Sequence, residues 1–181
     1  MDVAGVVATA FWAILPAYLP NSAAVLGGGG RPLDGGRTMG GTRLLGDGKT
    51  WRGTATGWAA GAALAVALNA VNAPVADLVG VSLPSFPPAA IITLPLGAMG
   101  GDIAASFLKR RLDRAQGSPV PGVDQFDFLV GALVLTLGAA PAWFSETFTP
   151  PVLVLILVVT PAVHLAANRI AYALGLKDTP W

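Results

Sequence analysis

Between Val3 and Leu19 the chain carries no charged side chain, and comparable apolar runs recur along the rest of its length. A run of about 17 residues is the shortest that crosses the roughly 30 Å hydrocarbon core of a bilayer as a helix. In lipid a helix also satisfies every backbone amide within its own segment. The recurrence of such runs predicts an all-α integral membrane protein with five transmembrane helices, expected at about 3–21, 54–73, 87–108, 126–144 and 151–174. Two long polar loops, 22–53 and 109–125, separate them within a single membrane-embedded catalytic domain, 1–181. Composition agrees: 54% of residues are hydrophobic and only 12% charged, which is too apolar for an ordinary soluble domain. The first run resembles a signal-peptide core, but no basic segment precedes it and Pro20-Asn21 follows it in place of small cleavage-site residues. It is therefore expected to stay as a helix.

Charge placement orients the spans. Arg31, Arg37, Arg43, Lys49 and Arg52 fall in the first polar loop, Lys109, Arg110, Arg111 and Arg114 in the second, and Arg169 and Lys177 near the C-terminal end. All eleven basic side chains lie on one side of a five-span arrangement. The positive-inside rule makes that side cytoplasmic in a cell-membrane protein, with the N-terminus outside and the C-terminus inside. Topology alone accounts for basic residues there. It does not account for Asp34, Asp47, Asp102, Asp113, Asp124, Asp127 and Asp178 on the same face, because acids contribute little to orientation.

Several local patterns have packing or capping explanations. Gly53, Gly57 and Gly61 recur every four residues on one helical stripe, Gly97 and Gly101 repeat the spacing, and such stripes let a second backbone approach closely, within the chain or in a homodimer. Pro95 is expected to kink the third span. Gly48-Lys49-Thr50 invites a phosphate-loop reading, but Arg43 stands where that motif needs glycine and no strand precedes it. His164, alone in the fifth span, is expected to be a hydrogen-bonded packing residue, and Trp143 and Trp181 suit interfacial positions.

Asp102 lies seven residues before Lys109, about 10 Å deeper along a helix rising 1.5 Å per residue. A charge at that depth is expensive and ordinarily faces the bundle interior. Helical steps of 100° put Asp102, Ser106 and Lys109 on one stripe, where Lys109 snorkelling back toward Asp102 is a purely structural option. Asp124 as N-cap and Asp127 three residues on would satisfy the free amides of the fourth helix, which is compatible with metal ligation. Hard carboxylate oxygens without cysteine favour Mg²⁺ or Mn²⁺ over zinc. Lys49, Arg52, Lys109 and Arg110 supply the charge to neutralise a polyphosphate. The residues alone thus point to phosphate-transfer or phosphate-binding chemistry at the cytoplasmic membrane surface, with no nucleic acid involved. A cation-coupled transporter or lipid-binding protein is the alternative, although five spans do not divide evenly and no internal repeat is evident.

Gly48-Lys49-Thr50-Trp51-Arg52-Gly53, Gly101-Asp102 followed by Ser106-x-x-Lys109-Arg110, and Pro121-Gly122 leading to Asp124-x-x-Asp127 resemble the membrane phosphatidate cytidylyltransferases. The resemblance is closer to their short archaeal relatives, the CDP-archaeol synthases. It extends to Leu15-Pro16-Ala17-Tyr18-Leu19-Pro20-Asn21-Ser22 and to the tail from Asn168-Arg169 to Pro180-Trp181. It implies Mg²⁺-dependent transfer of CMP from CTP to an isoprenoid glycerol ether phosphate lipid, 2,3-bis-O-geranylgeranylglycerol 1-phosphate, with release of pyrophosphate. Ester lipids are the nearer enzymatic alternative. It also implies Asp102 and Asp124 as metal ligands and Asp102, Asp124, Asp127 and Lys109 as catalytic residues. Lys49, Thr50, Arg52, Ser106, Lys109 and Arg110 would surround the CTP phosphates, with Asn21, Asn168 and Arg169 nearby. Two features of the bacterial-type enzymes are missing. Only Val123 separates Pro121-Gly122 from Asp124, where they have His-Gly-Gly, and Ala115-Gln116 replaces a Lys-Asp pair.

Overall fold

A computed structural model describes residues 1–114 and 118–176. Ala115-Gln116, Lys177, Asp178 and the Pro180-Trp181 end of the tail lie outside the described residues. Within them run α1 (Val3–Leu26), β1 (Thr38–Met39), β2 (Thr42–Arg43), α2 (Trp51–Val79), α3 (Pro88–Arg111), α4 (Val123–Ala139), α5 (Pro141–Thr147) and α6 (Pro150–Ala173). The all-α expectation is met apart from the two-residue antiparallel strands β1 and β2, paired Thr38 with Arg43 and Met39 with Thr42.

Four helices, α1, α2, α3 and α6, are long and apolar enough to cross a membrane. The expected span 126–144 is not one helix. Its first part is α4, 17 residues long, about 26 Å at 1.5 Å per residue; Ala140 (φ −141°, ψ 60°) then leaves the helical region and α5 begins at Pro141. Steric conflict with a proline ring disfavours α geometry in the residue before it, which accounts for the break. Helices α1, α2 and α3 run a few residues beyond their expected ends on the polar side, whereas α6 stops at Ala173, one residue short. In particular, α1 passes through Pro20-Asn21 to Leu26, so the first loop is 27–50 rather than 22–53.

Helix α1 sits at the centre, packed against α2, α3, α4 and α6, and its Ala13, Ile14 and Ala17 are fully buried. Small residues and prolines explain how it is surrounded so closely. Pro20 has no amide to give the carbonyl of Pro16, and Gly61 of α2 comes up against that oxygen: a Cβ there would lie 2.6 Å from it and 2.5 Å from Pro95 Cβ. Gly57 approaches the Pro20 carbonyl and Met99 in the same way. The 53/57/61 stripe is therefore occupied inside the chain. Helices α3 and α4 form the most intimate pair, with Gly97 and Gly101 facing Gly131 and the backbone of Asp127.

The end away from the polar loops is closed by the 80–87 connection. Asn69 clamps Phe86 from both sides, donating to its carbonyl and accepting from its amide at 2.8 Å each. Trp12 donates to the Pro84 carbonyl at 3.0 Å and Trp143 to that of Ser85 at 2.8 Å. Trp143 also packs on Phe86 and Phe148. Trp143 is thus part of a seal at this end, which leaves the polar end as the open one.

Candidate active site

The first polar loop owes its shape to one carboxylate. Asp34 is buried and receives Arg43 Nη2 at 2.7 Å and Nε at 3.1 Å, together with the amides of Gly36, Leu45 and Gly46. The Arg43 guanidinium, helped by those amides, holds the Asp34 carboxyl well below the usual carboxylate range against the opposing effect of burial. The same contact, with Asp47 as a second partner, raises Arg43. Between β1 and β2 the two-residue turn Gly40-Gly41 has φ of 62° and 82°, a pairing that a tight hairpin requires and glycine supplies without strain. Arg111, at the end of α3, docks this hairpin by donating to the carbonyls of Met39, Thr42 and Arg43.

This scaffold delivers Lys49. The Leu33 amide donates to the Lys49 carbonyl at 2.8 Å and Trp51 to that of Arg31 at 3.2 Å, fixing the backbone around Pro32 and Thr50 as a short antiparallel bridge. Thr50 then caps α2, its hydroxyl accepting from the Gly53 amide at 3.1 Å. From this anchor the Lys49 side chain reaches down to Asp102, with Nζ 2.5 Å from Oδ2. Lys109 near the end of α3 meets Asp124 in the first turn of α4, at 2.7 Å. The other Asp124 oxygen accepts from the Val120 amide at 2.8 Å. Asp127, one turn deeper on α4, accepts from the Phe128 amide at 2.6 Å. Gly101 abuts the Asp127 backbone, so Asp102 and Asp127 come to one level from neighbouring helices.

These groups face a single cavity of about 1150 Å³. Of the predicted site residues, Lys49, Thr50, Asp102, Ser106, Lys109, Arg110, Asp124 and Asp127 line it. Arg52 does not: it is exposed, and its aliphatic chain runs past Gly30 outside the cavity. Asn21 and Asn168 line the cavity and Arg169 is not among its walls. Two local expectations are corrected. Lys109 does not fold back on Asp102, since Asp124 lies within direct reach while Asp102 is about 10 Å away along the same helix. The N-cap of α4 is Gly122, at φ 86°, whose amide donates to Gln125; Asp124 therefore sits inside the first turn.

His164 is more than a core residue. It lines the cavity, takes part in a 2.7 Å hydrogen bond with Asn168, and stacks on Phe128. Tyr18, bonded to Thr160 at 2.8 Å, also lines the cavity and packs edge-on against Phe128. A single tyrosine or histidine in an apolar run gives no sequence signal for either placement. On one side the polar wall gives way to apolar surface from Leu19, Val25 and Leu26 of α1, Val163 and Ile170 of α6, and Leu174 just after it. No sequence pattern marked these as neighbours.

The donors suit a hard divalent cation that completes its coordination with water and phosphate oxygens, the usual habit of Mg²⁺. They do not form a protein cage: among the described residues no three His, Asp or Glu side chains surround a common point. The arrangement can bind a polyphosphate, with carboxylates for a metal, ammonium and guanidinium groups for phosphate oxygens, and an adjoining apolar wall.

The family model for CarS-like CDP-archaeol synthases matches residues 3–181. The CDP-archaeol synthase of Halobacterium salinarum is 66% identical over the full length of both chains, and that of Halorubrum lacusprofundi is 56% identical over 99% of each. A solved structure of an intramembrane enzyme for archaeal membrane lipids biosynthesis superposes with a TM-score of 0.69 at 38% identity, covering 88% of this chain and 92% of that one.

Proposed function

The chain belongs to the CDP-archaeol synthase family, and from this membership in a group of multi-pass membrane cytidylyltransferases of archaeal lipid synthesis we propose a specific reaction. CMP passes from CTP to 2,3-bis-O-geranylgeranylglycerol 1-phosphate, giving a CDP-activated ether lipid and pyrophosphate, with Mg²⁺ or Mn²⁺ bound at Asp102 and Asp124. The observation that carries this reading is the meeting of Asp102, Asp124, Asp127, Lys49 and Lys109 in one cavity that adjoins an apolar wall. Such a cavity suits a substrate pair in which one member is polyphosphorylated and the other has a phosphate headgroup on apolar chains.

A lipid phosphate oxygen attacks the α-phosphorus of CTP. A new P–O bond forms as the bond from the α-phosphorus to the bridging oxygen breaks, and pyrophosphate leaves with that electron pair. A phosphate monoester is already anionic near neutral pH, so no strong general base is needed. A divalent cation, when bound, neutralises charge on the phosphate oxygens. Lys49, Lys109 and Arg110 hold and orient the phosphates, and the barrier falls mainly through positioning and fixed charge. The Thr50 cap and the Lys49–Leu33 pairing keep the loop from drifting away from α3. In this reading the positive-inside rule, applied to the basic loops, puts this end on the cytoplasmic side, where CTP is available, and the N-terminus outside.

The test uses purified protein in detergent. Pyrophosphate should appear from CTP only when lipid phosphate is supplied, with the ether-linked acceptor preferred over an ester-linked one. Asp102→Asn and Asp124→Asn should each abolish turnover while the bundle stays folded. Cation-dependent turnover retained in either mutant would remove that residue from the metal site, and equal or better use of the ester lipid would replace the acceptor.

A further inference from the structure

Both carboxylates proposed as metal ligands are held by lysine ammonium groups, Lys49 on Asp102 and Lys109 on Asp124. Neither contact lies within one element. Lys49 reaches α3 from the loop before α2, and Lys109 reaches from α3 to the first turn of α4. In each case the partners are fixed by something other than the ion pair. The Lys49 backbone is tied to Leu33, Asp124 keeps the Val120 amide on its second oxygen, and half-buried Asp102 follows Gly101, which is packed against the α4 backbone. The ammonium groups, on flexible four-carbon stems, are the parts free to move.

We propose that Lys49 and Lys109 compete with the divalent cation for Asp102 and Asp124, and that a nucleoside triphosphate settles the competition by drawing both ammonium groups onto its phosphates. The site then selects the metal–nucleotide complex over the bare metal. This rests on the reading of the site as a metal-dependent cytidylyltransferase centre and adds a second role for the two lysines within it.

Charge balance supports the exchange. Among the described residues, Asp102 is matched by Lys49 and Asp124 by Lys109 on the same cavity. A bare dication must displace an ammonium and leave the cavity with excess positive charge in a medium of low dielectric. A cation arriving with a polyphosphate brings compensating negative charge, and the displaced lysines exchange one anionic oxygen for another. Among the described residues no lysine is bonded to Asp127, whose Oδ1 accepts from the Phe128 amide, so the exchange concerns the other two carboxylates. Ion pairs serving only to hold segments together would leave bare-metal affinity indifferent to removal of the lysines' charge.

Binding of Mn²⁺ to the detergent-purified full chain, measured by equilibrium dialysis as the Mn²⁺ retained with protein in excess of a protein-free compartment holding the same CTP, tests this without turnover. Wild-type protein should bind Mn²⁺ weakly alone and at least about tenfold more tightly with CTP and no lipid acceptor. Lys49→Met and Lys109→Met, each checked for monodisperse elution, should bind Mn²⁺ without nucleotide at least about tenfold more tightly than wild type, because each leaves a carboxylate uncompensated. Lys49→Arg, which keeps the charge, should stay as weak as wild type. If wild type gains Mn²⁺ with CTP but neither methionine variant binds bare metal more tightly, the competition is refuted and the metal site stands. If wild type binds Mn²⁺ no better with CTP than without, the competition is also refuted. If it takes up no Mn²⁺ even with CTP, the metal-dependent reading itself fails.

Discussion

Replacing Gly101 by alanine adds one methyl group at the point where α3 and α4 bring their carboxylates together. That methyl carbon would lie 2.8 Å from the carbonyl carbon of Asp127, 3.2 Å from Phe128 Cα, and nearer still to the Asp127 oxygen. Nonbonded carbons settle at roughly 3.5–4.0 Å, so the helices must separate by at least about 0.7 Å. Both contacts are backbone atoms within a helix, which cannot rotate aside. Overpacking of this kind costs about 1–3 kcal/mol, partly offset by the roughly 0.5–1 kcal/mol that alanine gains over glycine in a helix. The larger effect falls on chemistry, since a misplacement of about 1 Å can cost on the order of 100-fold in rate. Turnover should therefore fall by at least about tenfold, while the protein melts only a few degrees lower.

Gly100→Ala is the matched control. A Cβ at Gly100 meets nothing within 4 Å, so the same chemical change one residue away should leave turnover unchanged and stability equal or slightly higher. The assay is pyrophosphate release under saturating CTP and lipid, paired with thermal unfolding followed by size-exclusion chromatography in detergent. If Gly101→Ala and Gly100→Ala turn over alike, the close α3–α4 approach does not set the geometry of the site.

At the sealed end, Asn69→Ala should lower stability by about 2–4 kcal/mol by stranding the Phe86 amide and carbonyl. Turnover should be unchanged at temperatures where the protein stays folded, because the clamp is remote from the cavity; a parallel loss of turnover would show that the two ends are coupled. For Asp34, whose folded carboxyl titrates below its ordinary value, the stabilising contribution is complete at neutral pH. It is lost as pH falls below about 4, through the unfolded and then the folded value. Protection of the Leu45 and Gly46 amides, taken as the exchange rate relative to the intrinsic rate at each pH, should fall in acid. Asp34→Asn should show the lowered protection already at neutral pH, with wild-type protection there refuting the assignment.

Much of this protein was legible in one dimension because the bilayer makes certain errors costly. Apolar runs of spanning length announced α1, α2, α3 and α6. The same logic singled out Asp102 as a charge too deep to be idle, and the clustered motifs carried the family resemblance that the full-length match confirms. The break at Ala140 was also written locally, in Pro141, but apolar composition continues across it and hydropathy does not register backbone geometry.

Only the tertiary structure decided which charges meet. Asp102 and Lys109 share a helical stripe, yet each pairs with a residue from another segment, because α4 and the 27–50 loop lie nearer than the far end of the same helix. Arg52 and Lys49 are three positions apart in one motif, and the turn into α2 sends one to the surface and the other into the cavity. The walls drawn from α1 and α6 join residues separated by most of the chain. Periodicity and charge record what each segment must bury. Partners across helices depend on how closely backbones approach, and that distance is set by contacts such as Gly101 against Asp127, which exist only once the bundle has closed.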